Sequence, residues 1–309
     1  MIKQNLSLLI FLSCIGLVIL KEANLFRRMV FCFLKRKTNI KQKKDIFWHS
    51  LFVIMLICFS YGYFVEPYWL KKTFLTITTE KLTDSSFRII HLSDLHCDNK
   101  VRLEKKLVEV VNSYKPDIIV FTGDSINSAK ALKLFKSTIS NMKAKSAKLA
   151  VSGNFESWFY KDLDLFSGTG FELIDNKSFV LNKSGETISF FGLAFDGDSR
   201  YPELLAQASP EVFNVLLFHT PDLALDLKDF NVDLYLCGHT HGGQVALPFY
   251  GAIVTLSKYG KRFEAGKYKV SDMILYVSSG IGMEGGSAPR VRFFARPEVV
   301  IIDIIPQKK

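Results

Sequence analysis

Cysteine and histidine are scarce in this chain of 309 residues, which holds five cysteines and six histidines. Three of the cysteines lie within residues 1–65, and an odd total does not fit the paired spacing of a disulfide framework. The chain is therefore not a small secreted scaffold held together by disulfides. Its hydrophobic content of 48% is instead enough for one large core or two smaller ones.

An excess of positive charge is absent from most of the chain, although the formal net charge is +10. Residues 1–75 hold 12 Lys and Arg against 3 Asp and Glu, whereas residues 76–309 hold 28 against 27. A nucleic-acid-binding domain usually presents a basic surface. The balance over 76–309 therefore argues against a nucleic-acid partner, and the basic character belongs to the amino-terminal segment.

Charge is also missing from residues 46–65, a run of 20 residues that is about as long as the hydrocarbon core of a membrane requires. Aromatic residues near both ends, Trp48 among them, suit the membrane interfaces. Residues 5–20 form a shorter apolar run, and the small-residue cleavage site of a signal peptide does not follow it. We therefore predict a membrane anchor over 1–75, with spans at 5–20 and 46–65, and a separate globular domain over 76–309.

Two features disagree about the face of the membrane on which the domain over 76–309 lies. Residues 21–45, the predicted loop between the spans, carry nine Lys and Arg, and short basic loops stay in the cytoplasm. Two spans around such a loop would place the domain outside. Cys97 and Cys237 have no pairing pattern, however, and they fit a reducing compartment better. We expect an anchor in the cytoplasmic membrane and leave the face open, because residues 5–20 or 24–34 could also lie in the interface instead of crossing.

Short apolar runs alternate with helical stretches from residue 86 onward. Residues 87–93 and 117–123 favour buried strands, and residues 103–114 between them favour an amphipathic helix. Later runs predict more strands, the last of them over 297–305. This order predicts an α/β domain built as a layered sandwich, with two packed mixed sheets flanked by helices.

Polar side chains that can bind metal ions follow several of these strands, in five short runs. The runs are HLSDLH (91–96), TGDS (122–125), SGNFE (152–156), FHTPD (218–222) and CGHTHGGQ (237–244). Together they supply seven oxygen or imidazole donors: Asp94, His96, Asp124, Asn154, His219, His239 and His241. A single Asp or His is usually a cap or a core residue, but donors past the carboxyl ends of neighbouring strands meet at one edge of a sheet. Seven of them suit two adjacent divalent cations, a common device for phosphoryl transfer.

The five runs resemble the motifs of the calcineurin-like metallophosphoesterases, and the resemblance covers residues 86–305. It implies a metal-dependent hydrolase of phosphoric esters or anhydrides with two divalent ions, Mn²⁺ by preference and Fe or Zn²⁺ as alternatives. It also implies which residues bind each ion: Asp94, His96 and His241 for one, Asn154, His219 and His239 for the other, and Asp124 between them. The resemblance gives catalytic roles to four of these residues, Asp94, Asp124, Asn154 and His239.

One position departs from the family pattern. Phe155 stands where the pattern usually has a histidine that protonates the leaving oxygen or steadies the transition state. Help of that kind is worth about 10²–10⁴ in rate, and it matters most when the leaving group is poor. An alkoxide leaving a phosphodiester needs it, whereas a phosphate or nucleotide leaving a pyrophosphate departs as a stable anion. Phe155 therefore favours a phosphoanhydride substrate.

The substrate and its ligands are predicted less directly. Arg290 and Arg292 could bind a substrate phosphate through paired hydrogen bonds, or could equally pair with nearby glutamates. The chain is also similar to the membrane-bound UDP-2,3-diacylglucosamine pyrophosphatases of chlamydial type. That similarity implies a lipid-linked phosphate substrate at the bilayer surface, cleaved to UMP and a lipid monophosphate in lipid A biosynthesis. Two alternatives stay open: an outward-facing phosphoesterase acting on envelope phospholipids or scavenged phosphoesters, and an inactive metal-binding scaffold.

Overall fold

The computed structural model describes residues 2–35, 42–285 and 290–307. Its α-helices are α1 (Ile2–Lys35), α2 (Gln42–Phe64), α3 (Glu104–Ser113), α4 (Leu132–Ser140), α5 (Asn154–Phe159) and α6 (Tyr201–Leu205). The strands of the first sheet are β1 (Lys71–Thr79), β2 (Phe87–Leu92), β3 (Ile118–Thr122), β4 (Ala147–Val151), β5 (Glu172–Leu173) and β14 (Glu298–Pro306). The second sheet contains β6 (Lys177–Lys183), β7 (Glu186–Gly192), β8 (Phe213–Leu217), β9 (Leu234–Cys237), β12 (Gly266–Val270) and β13 (Met273–Val277). A small hairpin consists of β10 (Ala246–Leu247) and β11 (Gly251–Ala252).

Two long apolar helices precede the sheets and lie side by side. The Nδ1 atom of His49 in α2 is 2.8 Å from the Oε1 atom of Glu22 in α1. Both helices are long and apolar enough to cross a membrane, and only 6% of the most apolar window of each is buried. The predicted loop at 21–45 is instead helical over 21–35 and from 42 onward, while 36–41 lie outside the described residues. Apolar runs predicted the two helices but not their continuation through charged sequence.

The first sheet has the strand order β1-β14-β2-β3-β4-β5, and every neighbouring pair is parallel except β14 with β2. The boundary predicted between residues 75 and 76 falls inside β1, which pairs with β14 along its whole length. Leu75 and Ile77 are buried in this strand, while its two lysines are exposed. That alternation is typical of an edge strand with one buried face, so the sheet begins at Lys71.

The second sheet has the order β12-β13-β9-β8-β7-β6, with parallel pairing in the centre and an antiparallel strand at each edge. The two sheets pack face to face, because Val120 and Ile302 of the first sheet share one buried cluster with Val215 and Leu236 of the second. Helices α3 and α4 pack on the outer face of the first sheet. The predicted layered sandwich of two mixed sheets and flanking helices is therefore confirmed.

Candidate metal centre

The seven donors predicted from the sequence lie just past the carboxyl ends of five strands. Asp94 and His96 follow β2, Asp124 follows β3, Asn154 follows β4, His219 follows β8, and His239 and His241 follow β9. Parallel pairing places the ends of β2, β3 and β4 together in one sheet, and those of β8 and β9 together in the other. Both sets meet in one largely buried cluster, in which only His239 is half-exposed.

The backbone at this cluster is strained. Five of the seven donors adopt the left-handed conformation, with positive φ angles: Asp94 (50°), His96 (38°), Asp124 (59°), His239 (70°) and His241 (52°). This conformation costs roughly 1–2 kcal/mol for a residue with a side chain. Such strain persists where the surrounding fold enforces it, and it concentrates at functional sites. The tight turns after β2, β3 and β9 therefore aim these side chains at one another.

One group of four donors can hold a divalent cation. The candidate ligand atoms of Asp94, His96, Asp124 and His241 all lie within 4.8 Å of one another. The Nε2 atom of His241 is 3.5 Å from Oδ1 of Asp94, and the Nε2 atom of His96 is 3.3 Å from Oδ2 of Asp124. These residues are the three predicted for the first ion, together with the predicted bridging aspartate.

The remaining donors meet at the side-chain oxygen of Asn154. The Oδ1 atom of Asn154 is 2.9 Å from Nε2 of His219 and 3.0 Å from Nδ1 of His239. The same Nε2 atom of His219 is 3.4 Å from Oδ2 of Asp124. The Asp124 carboxylate thus lies between the two groups, which is the position the bridging role requires.

The chemistry of these donors fits cations rather than a network of hydrogen bonds. Among the described residues, the Nε2 atoms of His96 and His241 are buried and have no hydrogen-bond partner. Orphaned buried polar atoms are rare in native proteins, and an ion is one of the few explanations for them. Mixed carboxylate, amide and imidazole donors without cysteine suit Mn²⁺, Fe or Zn²⁺. The donors therefore fit divalent ions without selecting the element.

The electrostatics of the centre also favour positive charge. Burial raises the pKa of Asp94 to about 6, because a carboxylate loses hydration there. Burial acts the same way on Asp124, but the adjacent His219 and His96 outweigh it and hold the pKa of Asp124 well below its usual value. Burial would lower the pKa of His219, yet the Asp124 carboxylate raises it to about 10. Without cations, the carboxylates thus favour a protonated His219 imidazole inside the buried cluster.

Two supporting residues received no role from the sequence. The Glu156 carboxylate accepts hydrogen bonds from the backbone N–H groups of Asp124 and Ser125, at 2.9 and 2.7 Å. The side chain of Asn127 lies 3.0 Å from Nδ1 of His96, opposite the ring nitrogen that faces the centre. Such outer partners fix the orientation of metal ligands. The run SGNFE does contain Glu156, but only the fold shows that it orders the turn after β3.

Phe155 lies directly beside the donors. Its ring contacts the ring of His96 edge-on, with centroids 4.6 Å apart, and its backbone N–H donates to Oδ1 of Asp124 at 2.9 Å. The ring also contacts Phe159, whose side chain is exposed, as is that of Trp158. The centre is therefore bordered on this side by aromatic rings, and Phe155 brings no proton to it.

The two arginines predicted to bind substrate have different environments. Arg292 is fully buried and donates to the carbonyl oxygens of Gly282 and Ser279, and burial lowers its pKa to about 9. Its Nη2 atom lies 3.5 Å from Nδ1 of His241. This guanidinium is therefore placed behind a predicted metal ligand, His241, and its burial leaves it without access to a substrate. Arg290 is partly exposed and pairs with Asp98, so it stays a candidate for binding a substrate phosphate.

Comparison with known proteins identifies the family. The family model of the calcineurin-like phosphoesterases matches residues 87–243, which include all the motif residues through His241. The Uncharacterized metallophosphoesterase YkuE of Bacillus subtilis is 34% identical over 260 residues, covering 79% of this chain and 90% of that protein. The chain belongs to the calcineurin-like phosphoesterases. It is therefore a hydrolase, and its Asp and His cluster suits the divalent ions on which metallophosphoesterases depend.

Other relatives of this phosphoesterase carry more specific names. The Phosphodiesterase YaeI of Escherichia coli is 25% identical, over 80% of this chain and 93% of that protein. The UDP-2,3-diacylglucosamine pyrophosphatase LpxG of Chlamydia trachomatis is 24% identical, over 70% of this chain and 82% of that protein. The predicted resemblance to the family is confirmed, and the predicted similarity to the chlamydial enzymes extends over most of both chains.

Proposed function

We propose that this phosphoesterase is a membrane-anchored two-metal phosphohydrolase that cleaves a lipid-linked pyrophosphate. The observation that carries the proposal is the convergence of six donors, in two groups of three, around a seventh, Asp124, beside the apolar ring of Phe155. The residues Asp94, His96 and His241 would bind one ion, and Asn154, His219 and His239 the other. When bound, such ions supply an activated water and neutralise the charge that develops on the phosphoryl group.

The protein groups have separate tasks around the reacting phosphate. Asp124 would hold the two ions at a fixed separation, because its carboxylate has two oxygens to share. The imidazole of His239 is the only one of the seven donors that is partly exposed to solvent. It would therefore contact the substrate phosphate, while the buried donors position the ions. Glu156 keeps the turn that carries Asp124 rigid. Arg290 would bind a distal phosphate oxygen from the outer edge.

Phe155 supports an anhydride rather than an ester. Its side chain cannot donate a proton, and it occupies a position against His96 from which a histidine would reach the centre. A pyrophosphate releases a phosphate monoester, which is stable as an anion and requires no proton donor. The LpxG relatives are named pyrophosphatases, and the two long apolar helices suit a lipid substrate. Together these points favour UDP-2,3-diacylglucosamine, cleaved to UMP and a lipid monophosphate in lipid A biosynthesis.

The proposal is tested with the full chain in lipid nanodiscs, assayed with Mn²⁺ and UDP-2,3-diacylglucosamine. We expect release of UMP, measured by chromatography, that stops when the metal is chelated. A glycerophosphodiester, whose leaving group is an alkoxide, serves as the matched competitor and is expected to react more slowly. Faster cleavage of the diester than of the lipid pyrophosphate would contradict the anhydride assignment while leaving the phosphohydrolase intact.

A second candidate is an outward-facing phosphoesterase of envelope lipids or scavenged phosphoesters. The hydroxyl of Ser7, near the start of α1, lies 2.7 Å from the hydroxyl of Tyr250 in the catalytic domain. The backbone N–H of Arg292 donates to the carbonyl of Gly62, near the end of α2. The domain thus contacts the helix ends opposite the basic stretch at 21–45. If that stretch is cytoplasmic, as its charge favours, the domain faces outward.

A pair of reporter fusions at the carboxyl terminus separates the two candidates. A nucleotide-linked lipid is made in the cytoplasm, so the first proposal expects a fluorescent reporter that folds there and a silent alkaline phosphatase fusion. The reverse pattern would exclude UDP-2,3-diacylglucosamine as the substrate and support the second candidate. Accessibility of a cysteine introduced at the exposed Asp162, labelled in intact cells and in lysed cells, provides an independent control.

A further inference from the structure

We propose that one rim of the catalytic domain lies in the membrane interface and that the metal centre opens beside that bilayer surface. The rim consists of Trp69, Phe249, Tyr250, Leu256 and Phe294, and its partner is the headgroup and upper acyl region of the bilayer that holds α1 and α2. The inference rests on the membrane anchoring included in the proposed function, but it does not depend on which phosphate compound is cleaved or on which face the domain lies.

The level of the rim relative to α2 is set by contacts near the end of that helix. The backbone N–H of Arg292 donates to the carbonyl of Gly62 at 2.9 Å, and the rings of Tyr61 and Phe293 contact edge-on at 6.0 Å. The Glu66 carboxylate accepts the backbone N–H of Phe294 at 3.0 Å. Gly62 belongs to the apolar run 46–65, so Phe294 lies at the depth where this run meets the membrane interface.

A separate contact sets the same level from α1. The hydroxyl groups of Ser7 and Tyr250 are 2.7 Å apart, and the apolar window of α1 begins at Leu6. Phe249 is adjacent to Tyr250 in the loop between β10 and β11. Two segments that are distant in sequence therefore lie at one level, near the beginning of the apolar stretch of α1 and near the end of that of α2.

The rim exposes large apolar side chains at a cost to the backbone. The exposed fractions are 61% for Phe294 and 66% for Leu256, and Phe249 is fully exposed. All three residues have positive φ angles, of 53°, 55° and 64°. Bulky residues rarely adopt this conformation, and exposing them to water brings no compensation. Burial in lipid would supply it, because the removal of apolar surface from water is favourable.

Aromatic and cationic side chains in the rim have the arrangement typical of membrane interfaces. The guanidinium of Arg296 lies 4.0 Å from the ring centre of Trp69, and the ammonium group of Lys261 lies 3.8 Å from that of Tyr250. Trp and Tyr concentrate at the level of lipid headgroups, where Lys and Arg can reach phosphates. The pairs therefore fit a phospholipid surface better than an apolar protein partner.

The rim adjoins the metal centre directly. The carbonyl oxygen of Leu256 lies 3.4 Å from Nε2 of His239, the half-exposed donor. Arg292 links the centre to α2 on the other side. Its backbone N–H donates to Gly62, and its guanidinium lies 3.5 Å from Nδ1 of His241. A phosphate in a lipid headgroup would therefore reach the centre without its acyl chains leaving the bilayer.

The test uses the full chain in nanodiscs with and without brominated phosphatidylcholine, which quenches tryptophan on contact. We expect the emission added by Phe249→Trp, and by Phe294→Trp, to be blue-shifted in unbrominated lipid. The same emission should be largely lost in brominated lipid. Val180→Trp, an exposed position on the edge strand β6, is the matched control and should keep its emission.

If the emission of Trp at 249 and at 294 were the same in brominated and unbrominated lipid, as expected at 180, the proposal that the rim lies in the membrane interface would be wrong. A chain that did not co-float with the bilayer would contradict the anchoring itself and the rim with it. Quenching at 249 and 294 in a protein that releases no UMP would instead uphold the rim and reject the proposed lipid substrate. The two inferences therefore fail separately.

Discussion

Replacing Asp124 with alanine is expected to abolish turnover on every phosphate substrate, with kcat reduced by at least about 10²–10³-fold. The Asp124 carboxylate lies between both groups of donors, 3.3 Å from Nε2 of His96 and 3.4 Å from Nε2 of His219. Its loss removes the charge that holds two cations close together, so both ions should be weakened at once. Steady-state kinetics and metal content by mass spectrometry measure the two effects.

Controls separate this effect from general damage to the fold. Asp124→Asn keeps an oxygen that can accept the backbone N–H of Phe155, so it should preserve the turn while still losing most activity and metal. Asp162→Asn, at an exposed aspartate on the domain surface, should change neither. Full turnover in a well-folded Asp124→Ala protein would reject the two-metal centre. A wild-type chain that binds metal but cleaves no ester or anhydride would instead support the scaffold alternative.

The fold and the donors were predictable because their signals are local. Buried strands such as β3 are continuous apolar runs, and each donor follows such a run within a few residues, so the strand ends alone predicted a common edge. The grouping of donors around Asp124 came from the family resemblance, and the observed distances agree with it. The assignment of these residues as ligands stays a prediction that metal analysis can test.

Features that depend on distant contacts were not predictable from the sequence. The edge strand β1 is recognised only by its pairing with β14, more than 200 residues later in the chain. Arg292 was predicted either to bind a substrate phosphate or to pair with a glutamate, but it is buried and donates to carbonyl groups of Ser279 and Gly282 in one loop and of Ala295 in its own. The helical continuation of α1 through 21–35 brings Arg28 beside Asp45 of α2, a pairing that the charged sequence alone does not indicate.

Phe155 lies at the metal centre but lacks the proton donor that the family pattern has at this position. The first residues of α5 place its side chain against His96, while its backbone N–H binds the Asp124 carboxylate. The substitution therefore keeps the backbone contact to the centre and removes only the proton donor that the family pattern has here. A site that had lost its function would have no reason to keep the predicted ligand set while changing this one side chain.

Phe155→His is therefore expected to raise kcat/KM for an alkyl phosphodiester by up to about 10²–10⁴-fold, the usual value of general acid help to a poor leaving group. The same variant should change the cleavage of a nucleotide pyrophosphate little, because its leaving group needs no proton. Parallel assays of a glycerophosphodiester and a UDP-linked substrate measure the two ratios. Phe155→Leu, which is apolar and also lacks a proton donor, is the matched control and should leave both rates near those of the wild type.

Two outcomes would contradict this reasoning in different ways. If Phe155→His accelerated both substrates equally, the ring would be acting through the position of His96, which it contacts at 4.6 Å, and not through the missing proton. If the wild-type chain already cleaved the alkyl diester faster than the pyrophosphate, another group would have to supply the proton.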